Sequence, residues 1–176
     1  GQTGATINGY INGEPIGAFY MLDHDGIGED GLNQFVDRND DGEILDDDRF
    51  VPGSALPDLL YGFQLNLYYK SFGLGLKFNG ASGHKIYNHT AMTLFQKGSL
   101  VENFNTTDFA TEFPDEAPTN SNTVSTRYLE DGDYFRLNNA TLSYNSMPDR
   151  IGLDGMIRNL QLTLTVQNLF TITDYS

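Results

Sequence analysis

Between Leu59 and Asn79 the chain alternates apolar and polar residues in two successive runs, separated only by Lys70-Ser71. In the first run Leu59, Tyr61, Phe63, Leu65, Leu67 and Tyr69 share one parity, and Gly62, Gln64, Asn66, Tyr68 and Lys70 the other. In the second, Phe72, Leu74, Leu76 and Phe78 alternate with Gly73, Gly75, Lys77 and Asn79. A period of two belongs to strands, because successive side chains leave a strand on opposite faces. So short a connection makes the two strands antiparallel neighbours. The spacing predicts pairing of 59–69 with 72–80, giving a sheet with one apolar and one polar face.

Two further segments follow the same rule. Tyr134 to Asn145 reads as a strand whose parity slips near Asn138-Asn139, since Phe135 and Leu137 fall opposite in phase to Leu142 and Tyr144. A β-bulge, or a strand end outside the apolar band, accounts for such a slip. In Ile157 to Asn168, Leu160, Leu162, Leu164 and Val166 alternate with Asn159, Gln161, Thr163, Thr165 and Gln167. Ile16 to Met21 reads as a short strand, Thr90 to Lys97 as a local helix, and residues 1–15 as extended Gly- and Asn-rich chain. The fold class is therefore all-β and antiparallel. Its connections alternate long (23–56), short (70–71), long (82–133) and short (Pro148 to Gly155).

Two architectures share this pattern. A soluble sandwich buries the apolar face against a second sheet. A transmembrane barrel turns it to lipid, with short periplasmic turns and long extracellular loops. Periodicity alone leaves both open. Under the barrel reading the chain is a part of something larger, because membrane barrels start at about eight strands. The start at Gly1-Gln2-Thr3, without a signal peptide, reads likewise as a processed chain or a fragment.

Charge narrows the partners. The formal net charge is −14, which argues against nucleic acid, whose phosphates need a basic surface. Cysteine is absent, so disulfides, thiolate metal sites and thiol catalysis are excluded. Much of the acidity lies between Asp23 and Asp48. Within it, Asp37-Arg38-Asn39-Asp40-Asp41-Gly42 matches the start of a calcium loop. Asp37, Asn39 and Asp41 supply side-chain oxygens, Gly42 permits the sharp turn, Glu43 offers its backbone carbonyl, and Asp48 stands at the twelfth position in place of the usual Glu. The bland alternative is an acidic, Asx-rich turn. Asp23, Asp25 and Glu29 form a weaker second candidate. His24, His84 and His89 have no zinc spacing, and no nucleophile elbow or phosphate loop occurs. The chain carries no catalytic constellation and is not expected to be an enzyme. On the polar face, Gln64, Asn66, Lys77, Asn79, Gln161, Thr163, Thr165 and Gln167 are positioned to line or hydrate a lumen.

Several segments, in order, resemble a known family. They are Glu14-Pro15-Ile16-Gly17-Ala18-Phe19-Tyr20, Asp25-Gly26-Ile27, Asp37-Arg38-Asn39-Asp40-Asp41-Gly42, Pro52-Gly53-Ser54-Ala55-Leu56-Pro57 and Tyr61-Gly62-Phe63. Later come Gly83-His84-Lys85-Ile86-Tyr87-Asn88, Glu130-Asp131-Gly132-Asp133-Tyr134-Phe135-Arg136-Leu137 and Gln167-Asn168-Leu169-Phe170-Thr171-Ile172-Thr173-Asp174-Tyr175. Together they resemble the C-terminal part of the SusC/RagA-type TonB-dependent outer-membrane transporters of Bacteroidetes. The resemblance implies that residues 1–176 are barrel wall, with 23–56 and 83–133 as extracellular loops. It also implies an importer in the cell outer membrane, driven by TonB through an N-terminal region outside this chain. A SusD-like surface lipoprotein would be its partner, and oligosaccharides or peptides its substrates. The alternative is a soluble extracellular calcium-binding β-sandwich used in adhesion or scaffolding.

Overall fold

The computed structural model describes residues 7–94, 97–98, 114–146 and 159–175. In chain order the strands are β1 (Asn8–Gly9), β2 (Ala18–Phe19), β3 (His24–Ile27), β4 (Asn33–Phe35), β5 (Leu59–Tyr69), β6 (Phe72–Ser82), β7 (Lys85–Tyr87), β8 (Leu129–Asp131), β9 (Tyr134–Ser146) and β10 (Leu160–Thr173), with a short helix α1 (His89–Leu94) between β7 and β8. They fall into two compact units. One comprises Gly1–Pro57 with Gly83–Asp131, the other Asp58–Ser82 with Gly132–Ser176.

The second unit is a four-stranded antiparallel sheet of order β10-β9-β6-β5. The predicted antiparallel hairpin forms, with Phe63 opposite Phe78 and Tyr69 opposite Phe72. Its turn places Lys70 at φ 53°. The parity slip is a bulge. Lys77 pairs with Asn139 and the next residue, Phe78, with Leu137, so Asn138 is the extra residue in β9. Across β10 the same irregularity falls between Gln167 and Phe170, where Asn168 takes the left-handed conformation at φ 52°, which Asn tolerates better than most residues.

That extra residue restores the faces. After it, Leu137 and Phe135 join Ala140, Leu142 and Tyr144 on the side of Phe78, Leu76 and Leu74. Strand β10 runs past Asn168, the end expected from sequence, to Thr173, with Phe170 opposite Leu137 and Ile172 opposite Phe135. The lower bound at Ile157 and the turn Pro148 to Gly155 lie outside the described residues.

The apolar face is not covered. Phe63 is 53%, Leu65 43% and Leu164 64% exposed. A sandwich would bury these side chains, whereas a barrel turns them to lipid. Aromatic rings bracket the aliphatic band. Phe72 and Tyr144 lie 4.9 Å apart at the turn end. Toward the other end Phe63, Phe78 and Phe135 stack, with centroid distances of 4.5 and 5.4 Å for successive pairs. Tyr61 lies over Gly80, where any Cβ would come within 2.5 Å of its ring, so glycine is what lets the ring lie flat there. Tyr68 lies on the polar face beside Gly73, where its parity puts it.

The first unit has its own small core of Phe19, Met21, Ala91, Met92, Val124 and Tyr128. Segment 16–21 supplies the centre. Ala18–Phe19 is strand β2, and Met21 and Leu22 continue as isolated bridges to Phe50 and Ser125. Strand β1 pairs with β2, β3 with β4, and β7 with β8. Of the helix expected over Thr90 to Lys97, the structure shows α1 over His89–Leu94, and residues 95–96 lie outside the described residues. The stretches 23–56 and 83–133, separate loops in the sequence, thus fold together. Thr126 N–H donates to the Leu22 carbonyl, and His24 N–H to Thr126 Oγ1 at 2.9 Å. Ordered backbone this long needs such partners, because its own N–H and C=O groups must be satisfied.

Candidate functional site

The acidic loop closes on itself through its own N–H groups. Asp37 Oδ2 accepts from Gly42 N at 2.8 Å, and Gly42 sits at φ +87°, a conformation that favours glycine. Asn39 Oδ1 accepts from Asp41 N, and Asp41 Oδ1 from Glu43 N. The Asn39 amide nitrogen donates to Asp41 Oδ2 at 3.0 Å and to Asp47 Oδ2 at 2.9 Å. Asn39 and Asp41 are therefore brought together as expected. Asp47, which the sequence analysis passed over, joins them.

Asp48, at the twelfth position, turns its carboxylate to backbone amides. It is fully buried. Its Oδ1 accepts from Arg38 N–H and its Oδ2 from Leu45 N–H, both at 2.8 Å. The Leu45 and Arg38 amides hold its carboxyl below the ordinary Asp range, because those donors favour the charged form. Asp48 staples the two ends of the loop. Asp37 Oδ1 is buried without a hydrogen-bond partner. Among the described residues no three His, Asp or Glu side chains converge as a metal-holding group. Of the weaker acidic candidate, Asp23 pairs with Arg38 at 2.8 Å and accepts from Thr126 Oγ1.

A second polar centre ties the first unit together. Arg127 forms a buried ion pair with Glu116 at 2.8 Å and donates to Asn33 Oδ1 at 2.7 Å. Asn120 donates to Glu116 Oε1 and accepts from Asn33 N–H. His24 Nε2 lies 3.2 Å from Asn33 Oδ1. Burial, and then the Arg127 charge, lower the His24 pKa below the ordinary value. Burial alone would raise the Glu116 carboxyl, but hydrogen bonds from Arg127 and Asn120 reverse this and hold it low.

In the sheet unit the chemistry lies on the polar face. Gln64, Asn66, Tyr68, Lys77, Asn139, Thr141 and Ser143 line one hollow. A second hollow, of about 360 Å³, is lined by Lys77, Asn79, Arg136, Asn138, Asn139, Gln167 and Asn168. Arg136 and the bulge amides were missing from the sequence-based lumen set, because the parity slip hid which face they take. Thr141 Oγ1 and Thr165 Oγ1 lie 3.2 Å apart on this face, and Arg136 Nε donates to Thr171 Oγ1 at 3.0 Å.

Four long antiparallel strands in sequential order, apolar on one face and polar on the other, are a section of transmembrane β-barrel wall. No family model matches the chain. It is 32% identical to TonB-dependent receptor P3 of Formosa agariphila over 93% of its own length and 18% of that protein. It is also 32% identical to TonB-dependent receptor P26 of the same organism, over 82% of this chain and 16% of the relative. Among solved structures it matches the RagAB peptide transporter with a TM-score of 0.76 at 22% identity, over 90% of this chain and 19% of that one. The RagAB peptide importer in its closed-closed state gives a TM-score of 0.75, with 90% and 20% covered. The chain belongs to the TonB-dependent receptors, as its resemblance to the SusC/RagA type implied. It spans less than a fifth of the length of the curated relatives it matches. Proteins of this family are outer-membrane proteins, and the matched relatives are receptors and transporters, not enzymes.

Proposed function

We propose that the receptor containing this stretch imports an oligosaccharide or peptide across the outer membrane. It would be driven by TonB and would work with a SusD-like surface lipoprotein. The observation that carries this is the combination of 32% identity over 93% of the chain with a sheet whose apolar face is left uncovered. The RagAB structures, described as a peptide importer, favour peptides among the substrate classes. The role of residues 1–176 would be C-terminal barrel wall together with an extracellular unit built from 23–56 and 83–133. A strain lacking the complete receptor should lose growth on an oligopeptide mixture or on oligosaccharides as sole carbon source. Undiminished growth on both would refute import. The extracellular placement is tested at Thr119, which is exposed, whereas its neighbour Asn120 is tied into the Glu116 network. A Thr119→Cys receptor on intact cells should react with a membrane-impermeant maleimide. Labelling only after lysis would put the unit on the wrong side.

We also propose that the loop of Asp37, Asn39, Asp41, Glu43 and Asp48 holds one structural calcium ion. The partnerless Asp37 Oδ1 and the Asp41 and Asp47 carboxylates gathered round Asn39 support it. Clustered carboxylates repel one another without a cation, so an ion would offset that repulsion and order the loop. Asp48 would serve chiefly through its N–H staple. Calorimetric titration of calcium into chelator-treated receptor should give a binding isotherm, weakened by Asp37→Ala and by Asp41→Ala. A flat titration with unchanged protease cleavage would reduce the motif to an acidic turn.

A further inference from the structure

The chain has 24 acidic residues, yet none lies in β5, β6, β9 or β10. The charged side chains of those four strands are Lys77 and Arg136. Both lie on the polar face and line the same hollow of about 360 Å³. Arg136 is directly across from Asn79, and Lys77 is two residues along β6 from it. Neither cation makes an ion pair among the described residues. The rest of the lining is carboxamide, from Asn79, Asn138, Asn139, Gln167 and Asn168. Two of these amides, Asn138 and Asn168, are there because of the bulge. Asn79 Oδ1 is buried with no hydrogen-bond partner; as an acceptor it is an oxygen for the neighbouring cations or a protonated group rather than for a carboxylate.

Ionisable groups at membrane depth are paired or face a polar path, because an unpaired charge there is costly. Two cations together repel, so one anion between them relieves both. We propose that the Lys77–Arg136 hollow seats a carboxylate, and that its occupant is an Asp or Glu side chain from the part of the same receptor lying outside residues 1–176. Charge complementarity selects the carboxylate, since Arg136 offers a planar donor fork and Lys77 a point charge. The length of the relatives, more than five times the matched stretch at 18% coverage, supplies the source within the same polypeptide. This inference rests on the reading of the chain as part of a complete receptor.

The test is a zero-length carbodiimide cross-link on the complete, purified receptor, with peptides mapped by mass spectrometry. Lys77 should cross-link to an Asp or Glu beyond residues 1–176. Lys77 should also be acetylated several-fold more slowly than Lys70, which sits in the β5–β6 turn. Lys77→Gln should abolish that cross-link while the receptor still inserts into the outer membrane. Arg136→Gln should speed acetylation of Lys77 by loosening the shared carboxylate. Acetylation of Lys77 as fast as Lys70, or cross-links confined to residues 1–176, would overturn the proposal. So would protection of Lys77 that appears only when a carboxylate-bearing peptide such as triglutamate is added, since the occupant would then be a solute. Outer-membrane insertion and growth on peptides or oligosaccharides read the import function independently of every one of these outcomes.

Discussion

The two units solve opposite problems. The sheet carries its apolar side chains outward and has no Asp or Glu in its long strands, so lipid does the work that a core does elsewhere. The loop unit carries the acidity and buries a handful of side chains, Met21 at 0% exposure among them, around a polar network rather than a large apolar interior. The first unit's order depends on charge and hydrogen bonds, the second's on the medium. What disturbs one should leave the other intact.

The largest expected effect is in the loop unit. Arg127→Ala leaves Glu116 charged, buried and without its guanidinium, and breaking a buried pair from one side costs about 3–5 kcal/mol. Hydrogen exchange on the complete receptor should rise in β3, β4 and 116–128 and stay low in β6 and β9. If the sheet loosened equally, the units would not be independent.

Next comes the face assignment. Leu65→Arg, with Leu65 at mid-strand on the apolar face, should cost on the order of 2–4 kcal/mol in a lipid-facing position. Gln64→Arg, one residue away on the polar face, should cost far less. Unfolding titrations in detergent or lipid would compare them, and equal costs would erase the difference between the faces.

The smallest effect is acidification. The His24 pKa is lowered in the folded unit by burial and by Arg127, with Asn33, Glu116 and Asp25 acting the other way. Its neutral form is favoured, so this contribution is complete above the ordinary His value of about 6.5 and lost as pH falls through it toward the depressed folded value. Glu116 has the same sign at lower pH, because its folded pKa is also depressed. From about pH 7 to about pH 5 exchange in β3 and β4, corrected for its intrinsic rate, should rise, and His24→Gln should flatten the change. The four long strands hold no His, Asp or Glu and should not respond.

The same contrast governs what the sequence discloses. Strand pairing in the sheet is legible because it repeats every two residues between near neighbours, and even the bulge announced itself as a slipped parity at Asn138. The co-folding of 23–56 with 83–133 was not legible. It rests on single contacts across long separations, such as His24 with Thr126 and Arg127 with Asn33, which leave no periodic trace. In the acidic loop, residue type and spacing marked Asp37, Asn39 and Asp41. They could not reveal that Asp48 faces backbone amides, or that Asp47 joins the cluster, because that depends on where the chain turns at Leu45.

The strand order β10-β9-β6-β5 leaves the outer margins of β5 and β10 without a neighbouring strand among the described residues. Rows of free N–H and C=O groups of this kind recruit whatever extended chain is nearest. Produced alone, the stretch would template onto its own copies and build ribbons rather than a soluble monomer. Within the receptor the same margins set an order of assembly. Local hairpins such as β5–β6 can zip early, whereas sealing the cylinder must wait for strands distant in sequence, whose joining is intrinsically slow. Until such margins find a partner strand, they stay open to aggregation.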